Sequence, residues 1–188
     1  MNIQLTDTII DVGSGTGDLI DLILNKKKIN SIYSIDLNDE MLQYVKKRFK
    51  NKNVHFVKAN AENLPFKNNF FDKYIVSFCL RNVTDIKKAL NEALRILKPG
   101  GTFYCLEFSS PKSSLINSIY KSYKKNNIPW IRKKKAENEE AYQYLQESID
   151  QFPSQEELLS NLTQIGFYRT KYLNMFNGIV SVHIGYKI

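Results

Sequence analysis

The stretch Ile9-Ile10-Asp11-Val12-Gly13-Ser14-Gly15-Thr16-Gly17 constrains the fold more than any other part of the chain. Three of the eight glycines fall within five residues. They follow a β-branched apolar run and precede Leu19, Ile20, Leu22, Ile23 and Leu24, which begin an amphipathic helix. Glycine tolerates positive φ and lets a ligand approach bare backbone, so a strand–glycine turn–helix makes a nucleotide cradle. A dinucleotide fingerprint reads G-x-G-x-x-G and receives a pyrophosphate at the helix start. This chain reads D-x-G-x-G-x-G instead. Asp11 sets negative charge where a phosphate would be repelled and an amine or sulfonium welcomed. The expected ligand is a cationic nucleoside such as S-adenosylmethionine, cradled by Asp11, Gly13 and Gly15. A tight turn without a ligand is the alternative.

The rest of the chain repeats the strand–helix alternation. Strands are expected at Thr8–Val12, Ile32–Ile35, Val54–Val57, Tyr74 to about Phe78, and Thr102–Leu106. Lys26-Lys27-Lys28 closes the first helix, where cations suit the macrodipole. Asn38 or Asp39 caps the second, which runs to about Phe49. Thr84 is expected to cap the third, whose Ile86, Ala89, Leu90, Ala93, Leu94 and Leu97 share one face. Lys98-Pro99-Gly100-Gly101 stops it. Ser154 and Glu157 form a capping box for a last helix that ends at Gly166. Phe167–Leu173 and Ile179–Tyr186, split by Asn177-Gly178, read as a terminal hairpin. Alternating strands and helices imply right-handed crossovers and a mainly parallel sheet, an α/β fold with helices on both faces. Residues 1–188 read as a single domain, with 112–150 a helical insertion that covers the substrate.

Composition bears on partners and compartment. With 43% hydrophobic residues the chain is globular, and no apolar run approaches the ~20 residues a membrane span needs. Cys79 and Cys105 sit in apolar runs without metal-ligand spacing, so both are expected as buried, reduced thiols, and no metal is expected. The opening MNIQLTDT carries no visible targeting segment. A net charge of +8 invites a nucleic-acid reading. The lysines travel with asparagines, however, as in Lys50-Asn51-Lys52-Asn53, which fits compositional bias at solvated loops equally well.

In an open α/β sheet, ligands collect at the carboxyl ends of strands, beside the switch in strand order. Strand one supplies Asp11 and the glycine loop. Strand two supplies Asp36, nineteen residues after Gly17, where an acid accepts both ribose hydroxyls of an adenosine. Strand three ends in Asn60-Ala61: an amide for adenine edges, or equally a turn cap, and a small residue beside a flat ring. Strand four ends in Ser77, whose backbone or hydroxyl can face the amino-acid portion of the cofactor. His55 and His183 lie within strands and are read as structural.

With these positions in place, the chain resembles the class I S-adenosylmethionine-dependent methyltransferases. More narrowly it is similar to the UbiE-type C-methyltransferases of ubiquinone and menaquinone biosynthesis. The narrow match rests on Asn60-Ala61-Glu62-Asn63-Leu64-Pro65-Phe66, Ser77-Phe78-Cys79-Leu80-Arg81-Asn82-Val83-Thr84 and Leu97-Lys98-Pro99-Gly100-Gly101. It continues through Cys105-Leu106-Glu107-Phe108-Ser109, Ala141-Tyr142-Gln143-Tyr144-Leu145, Glu147-Ser148-Ile149 and Phe152-Pro153-Ser154. LKPGG is generic, whereas S-F-x-x-R-N-V-T and Y-Q-Y-L-x-E-S-I are specific. The resemblance covers Ile9 to the C-terminus. It implies a Rossmann-like, mostly parallel seven-stranded sheet with a C-terminal antiparallel hairpin, and cofactor contacts at Thr16, Asp36, Asn60, Ala61 and Ser77. Family members carry a helical segment before the glycine loop; this chain reaches its first strand by Thr8 and is read as lacking it.

The implied reaction methylates a ring carbon of a polyprenyl hydroquinone, either 2-polyprenyl-6-methoxy-1,4-benzoquinol or demethylmenaquinol. Ionising the adjacent phenol, with a free pKa of about 10, pushes electron density onto the ortho carbon. Arg81 is the expected catalytic residue, holding the phenolate or orienting a water that takes the proton. The alternative is an ion pair with the Thr84–Asp85 helix start or with Glu107. Asn82 and Tyr142 are read as substrate-facing; Tyr142 and Tyr144 point to different helix faces, so at most one meets the ring. Residues 119–135 interleave aromatics with lysines and arginine, which suits an anionic membrane surface or a solvated Lys-biased loop. The expected location is therefore peripheral to a quinone-bearing membrane. That is the matrix face of the mitochondrial inner membrane in a eukaryote and the cytoplasmic face in a bacterium. Membership of a quinone-biosynthesis complex is a further expectation, and no nucleic-acid partner is expected. The competing functions are a non-catalytic cofactor-binding or scaffold subunit and, with neither a target-base motif nor an RNA-binding module to support it, an RNA methyltransferase.

Overall fold

A computed structural model describes residues 1–26, 29, 31–50, 52–109 and 139–188. Seven strands form one sheet: β1 (Thr8–Val12), β2 (Ser31–Asp36), β3 (Val54–Lys58), β4 (Phe71–Ser77), β5 (Leu97–Phe108), β6 (Tyr168–Met175) and β7 (Val180–Tyr186). Their order is β3-β2-β1-β4-β5-β7-β6. The first five strands are parallel, and β7 inserts antiparallel between β5 and β6. Strand order therefore reverses between β1 and β4. There the carboxyl ends of two neighbouring strands lead to opposite sides and leave a crevice.

Five α-helices fall among the described residues: α1 (Asp18–Lys26), α2 (Asp39–Arg48), α3 (Ile86–Ile96), α4 (Glu139–Gln151) and α5 (Gln155–Ile165). Ile20 and Ile23 of α1 and Val45 of α2 pack with Ile9, Ile32 and Ile75 on one side of the sheet. Ala89, Leu90 and Ala93 of α3 and Leu158 and Leu162 of α5 pack with Tyr74, Phe103 and Cys105 on the other. β1 is covered on both faces: Ile9, Ile10 and Val12 are all buried, and Asp11 between them is buried too.

The caps show how local chemistry sets the boundaries. Asn38 accepts from the Glu40 and Met41 amides and starts α2. Ser154 and Glu157 form the expected capping box, and Gly166 closes α5 in the left-handed region at φ 114°. The cap of α3 is Asp85, not Thr84: its carboxylate accepts from the Lys88 amide at 3.0 Å. The Thr84 amide instead donates to Glu62 Oε1, so the residue before the cap is tied to the loop after β3. β5 begins at Leu97, directly at the end of α3, so Lys98-Pro99-Gly100-Gly101 lies within the strand and not in a separate turn. The hairpin turn comprises Phe176–Gly178, with Asn177 at φ 56°. Cys105 is buried in β5, as expected, whereas Cys79 is half-buried and follows β4 outside any strand. Of the insertion expected at 112–150, residues 139–151 are helical, and 112–138 lie outside the described residues.

Candidate functional site

The crevice at the switch point is a cleft of about 310 Å³. Val12 and Gly13 form one wall, Asp36 and Leu37 a second, Asn60 and Ala61 a third, and Phe78, Cys79 and Asn82 the fourth. Four strand ends thus meet there, because parallel strands deliver all their carboxyl ends to one edge.

Gly13 stands where it does because a side chain would not fit. A Cβ there would lie 2.1 Å from Cys79 Sγ, and its φ of 68° is a conformation that favours glycine. Gly15, at φ 51°, has nothing within 4 Å of a Cβ, so backbone conformation alone calls for glycine there. The loop's amides are largely committed. Gly13 and Ser14 donate to the Ile35 carbonyl, Gly15 donates to Asp36 Oδ2 at 2.9 Å, and Gly17 donates to the Ser14 carbonyl. A phosphate cradle requires such amides to be free. The structure thus excludes a diphosphate reading of the loop on hydrogen-bond grounds, in addition to the charge of Asp11.

Asp36 holds its place through two backbone donors, Gly15 N–H on Oδ2 and Asn38 N–H on Oδ1. Each carboxylate oxygen keeps a further lone pair for a hydroxyl partner. Asp11 is 2% exposed, and its Oδ2 makes no hydrogen bond. Burial, with the nearby Asp36 carboxylate second, raises its carboxyl pKa to about 7. A buried acid without a partner beside a second acid is where a bound cation gains most. The cleft residues therefore fit an adenosine bearing a sulfonium: Asp36 for ribose and small and apolar walls at Ala61 and Leu37, with the Asp11 carboxyl buried outside the lining, where a nearby cation would favour its ionised form.

The remaining residues picked out from sequence divide. Ala61 is buried in the cleft wall, and Asn60 lines it while its Oδ1 accepts from the Glu62 amide, so the turn-cap reading of that side chain holds. Thr16 is exposed outside the cleft. Its hydroxyl donates to Asp18 Oδ2, and its carbonyl accepts from Arg48, so it fastens the loop to α2. Ser77 lines a separate apolar cavity with Leu19, Ile75, Tyr104 and Leu106; it is Phe78 and Cys79 that reach the cleft. Asn82 lines the cleft and accepts from the Tyr144 hydroxyl at 3.0 Å, which brings α4 to its edge. The side chain of Tyr142 and residues 119–135 lie outside what the structure describes.

Arg81 sits in a short 3-10 turn, Leu80–Asn82, after β4. Its Nη1 donates to Glu107 Oε1 at 2.8 Å and to the Phe78 carbonyl at 2.6 Å, and its Nε is buried without a partner. The ion-pair alternative with Glu107 is thus formed. Burial raises the Glu107 carboxyl pKa, opposed by the Arg81 charge. His55 stacks on Tyr33, and buried His183 donates from Nε2 to the Gln155 carbonyl; neither lines the cleft. Among the described residues no group of His, Cys, Asp and Glu is placed to hold a metal ion.

Val12, Leu37, Ala59, Glu62, Phe78, Cys79, Val83 and Thr84 line the cleft without having been expected there, whereas Asp11, Gly15 and Arg81 are not among its lining residues. The only local signal for Cys79 was its adjacency to Ser77. Its contact with Gly13 is set by strand order, which residue patterns alone do not encode.

Comparison with known proteins accords with this geometry. The UbiE ubiquinone/menaquinone biosynthesis C-methyltransferase of Rickettsia bellii is 46% identical over 98% of this chain and 78% of its own length. A phosphoethanolamine N-methyltransferase of Haemonchus contortus, solved with S-adenosyl-L-methionine, superposes with a TM-score of 0.73 at 16% identity, covering 99% of this chain and 50% of that one. A SAM-dependent methyltransferase of Methanosarcina mazei superposes at 0.68 with 23% identity, covering 99% and 94%. These two establish the fold alone. The model of the ubiE/COQ5 methyltransferase family matches residues 1–187, and the chain belongs to that family.

Proposed function

We propose that this protein transfers a methyl group from S-adenosyl-L-methionine to a ring carbon of a polyprenyl hydroquinone in quinone biosynthesis. The observation that carries the reading is family membership over nearly the whole chain, joined to a cleft whose acids suit a sulfonium nucleoside. The cofactor supplies a methyl group activated by positive charge on sulfur. This chain's residues bind, orient and exclude. Asp36 would accept the ribose hydroxyls, and Asn60 and Ala61 would hold the purine. Asp11 stabilises positive charge from behind the loop.

Carbon is a weak nucleophile, and a phenolate adjacent to it raises electron density at the reacting position. A permanent cation near that oxygen favours the ionised form. Arg81 suits this role by its guanidinium charge, held by Glu107 and the Phe78 carbonyl in the corner whose Phe78, Cys79 and Asn82 line the cleft; Arg81 itself is not a lining residue, so it would act electrostatically. Asn82 and Tyr144 join at the cleft edge and support a substrate side there. No covalent intermediate is required, so positioning supplies most of the acceleration.

A polyprenyl acceptor resides in a bilayer. The protein accordingly works at the surface of a quinone-bearing membrane, with the basic and aromatic residues of 119–135 as the docking segment. Among the described residues no helix is long and apolar enough to cross a membrane. Retention on anionic liposomes in a flotation assay is expected, and absence of retention would remove the docking idea. Function is tested by offering labelled cofactor to short-chain demethyl benzoquinol, demethyl naphthoquinol and RNA. Label in either quinol supports the reading. Label in RNA alone, or tight cofactor binding with no transfer, would replace it with one of the competing functions.

A further inference from the structure

Glu107, the last residue but one of β5, is a wholly buried carboxylate. Its Oε1 accepts from Arg81 Nη1 at 2.8 Å and from the Phe108 amide at 2.9 Å, and its Oε2 accepts from the Arg81 amide at 3.4 Å. The same Arg81 Nη1 donates to the Phe78 carbonyl at 2.6 Å. Phe78 has φ 53°, a left-handed conformation that costs a bulky aromatic residue strain. Its amide is bonded to the Leu106 carbonyl, and its ring packs on Phe108 with centroids 4.8 Å apart. Arg81 lies over that same Phe108 ring at 5.5 Å. The corner after β4 is thus clamped to the end of β5 by one acid acting through one guanidinium. Phe78, Cys79 and Asn82 of that corner line the cleft.

We propose that Glu107 is a positioning residue for methyl transfer: its carboxylate fixes Arg81, and through it the strained Phe78 peptide, at the substrate-side wall of the cleft. A buried ion pair contributes little net stability, because desolvation offsets its attraction. What it does supply is a single orientation for the guanidinium and a single conformation for the corner. An amide in place of the carboxylate keeps the shape and removes the charge that holds Arg81. The hydrogen bonds of Glu107 run to Arg81 and to the Phe108 amide, so the Asp36 side of the cleft is expected to keep its geometry, sparing cofactor affinity while turnover falls. The kinetic part of this inference rests on the function proposed above; the structural part does not.

The test compares the full chain with Glu107→Gln, Arg81→Met and the double variant. Glu107→Gln is expected to lower kcat about tenfold or more while changing the cofactor dissociation constant less than about twofold. Adding Glu107→Gln to Arg81→Met is expected to lower kcat no further, since the acid acts through the arginine. Amide hydrogen exchange needs no turnover: in Glu107→Gln the Phe78 and Arg81 amides are expected to exchange about tenfold faster, with β1 and β2 amides unchanged. Unchanged exchange at Phe78 and Arg81 overturns the proposal whether or not the wild-type protein methylates a quinol. A further loss of kcat in the double variant overturns it too. A wild-type chain inactive on quinols, with the exchange result as expected, removes the function and leaves the clamp.

Discussion

Replacing Asp11 by Asn separates what the fold wants from what the site wants. Asp11 is buried with Oδ2 unpartnered, and its carboxyl pKa is raised from 3.8 to about 7, first by burial and then by Asp36. The folded protein therefore keeps this proton up to about pH 7, whereas the unfolded chain releases it near pH 3.8. Between those values the native state binds more protons, so stability falls as pH rises and levels off above pH 7. The raised pKa corresponds to a cost of about 4 kcal/mol at high pH, with 1.36 kcal/mol per unit. An Asn side chain does not titrate. Its own unsatisfied amide costs about 1–3 kcal/mol at every pH, so the pH-dependent part is the cleaner quantity. From pH 5 to pH 8 the stability of Asp11→Asn relative to wild type is expected to rise by about 3 kcal/mol, two pKa units' worth. Urea denaturation at the two pH values measures it from the shift in midpoint at constant m. A relative stability that is the same at pH 5 and pH 8 would refute the reasoning. The variant's affinity for the sulfonium cofactor is expected to fall more than its affinity for the neutral thioether product, because only the former gains from the carboxylate.

Three further outcomes follow from the cleft and the loops that frame it. Gly13→Ala forces a Cβ against Cys79 and is expected to destabilise by about 3 kcal/mol or more and abolish cofactor binding; Gly15→Ala, which meets only backbone strain, costs about 1–2 kcal/mol. Equal effects in thermal denaturation and calorimetric titration would contradict the contact. Asp36→Ala removes the acceptor of the Gly15 and Asn38 amides and is expected to weaken cofactor binding by about two orders of magnitude, read by titration calorimetry; a loss of under threefold would contradict its place in the site. Arg95 donates to the Leu64 and Phe66 carbonyls and pairs with Glu92, which itself accepts from the Leu64 amide. Arg95→Ala is expected to cost about 2 kcal/mol in urea denaturation by freeing the loop after β3, and a change under about 0.5 kcal/mol would show that loop to be held otherwise.

Much of this architecture is legible in residue order because parallel α/β folds repeat one local rule. A short β-branched run such as Ile9–Val12 has one destination, and the periodic face of Ile86–Ile96 has another. Capping chemistry is equally local, as Ser154 with Glu157 shows. Thr84 misleads because two adjacent residues can both cap; here the Asp85 carboxylate accepts from the Lys88 amide, while Glu62, remote in sequence, accepts from the amides of both Thr84 and Asp85. Position at the cleft is legible where a strand end leads straight into it, as at Asp36, Asn60 and Ala61. It is not legible where a residue's role is set by a partner across the sheet. Cys79 faces Gly13, and Thr16 turns outward to serve Arg48. Ser77 and Phe78 are neighbours in the chain, yet one lines an apolar cavity and the other the cleft. That division follows from the alternation of side chains along β4, together with the left-handed turn at Phe78.

A cleft that brings a sulfonium methyl to a quinol carbon leaves that methyl on the ring. The most direct measurement supplies the protein with cofactor carrying a carbon-13 methyl and a short-chain demethyl quinol, then reads the product by carbon-13 NMR. Label is expected in a methyl group bonded to the aromatic ring, with turnover lost in Asp36→Ala. Label on a phenolic oxygen, or no label in the quinol while the cofactor is demonstrably bound, would contradict it.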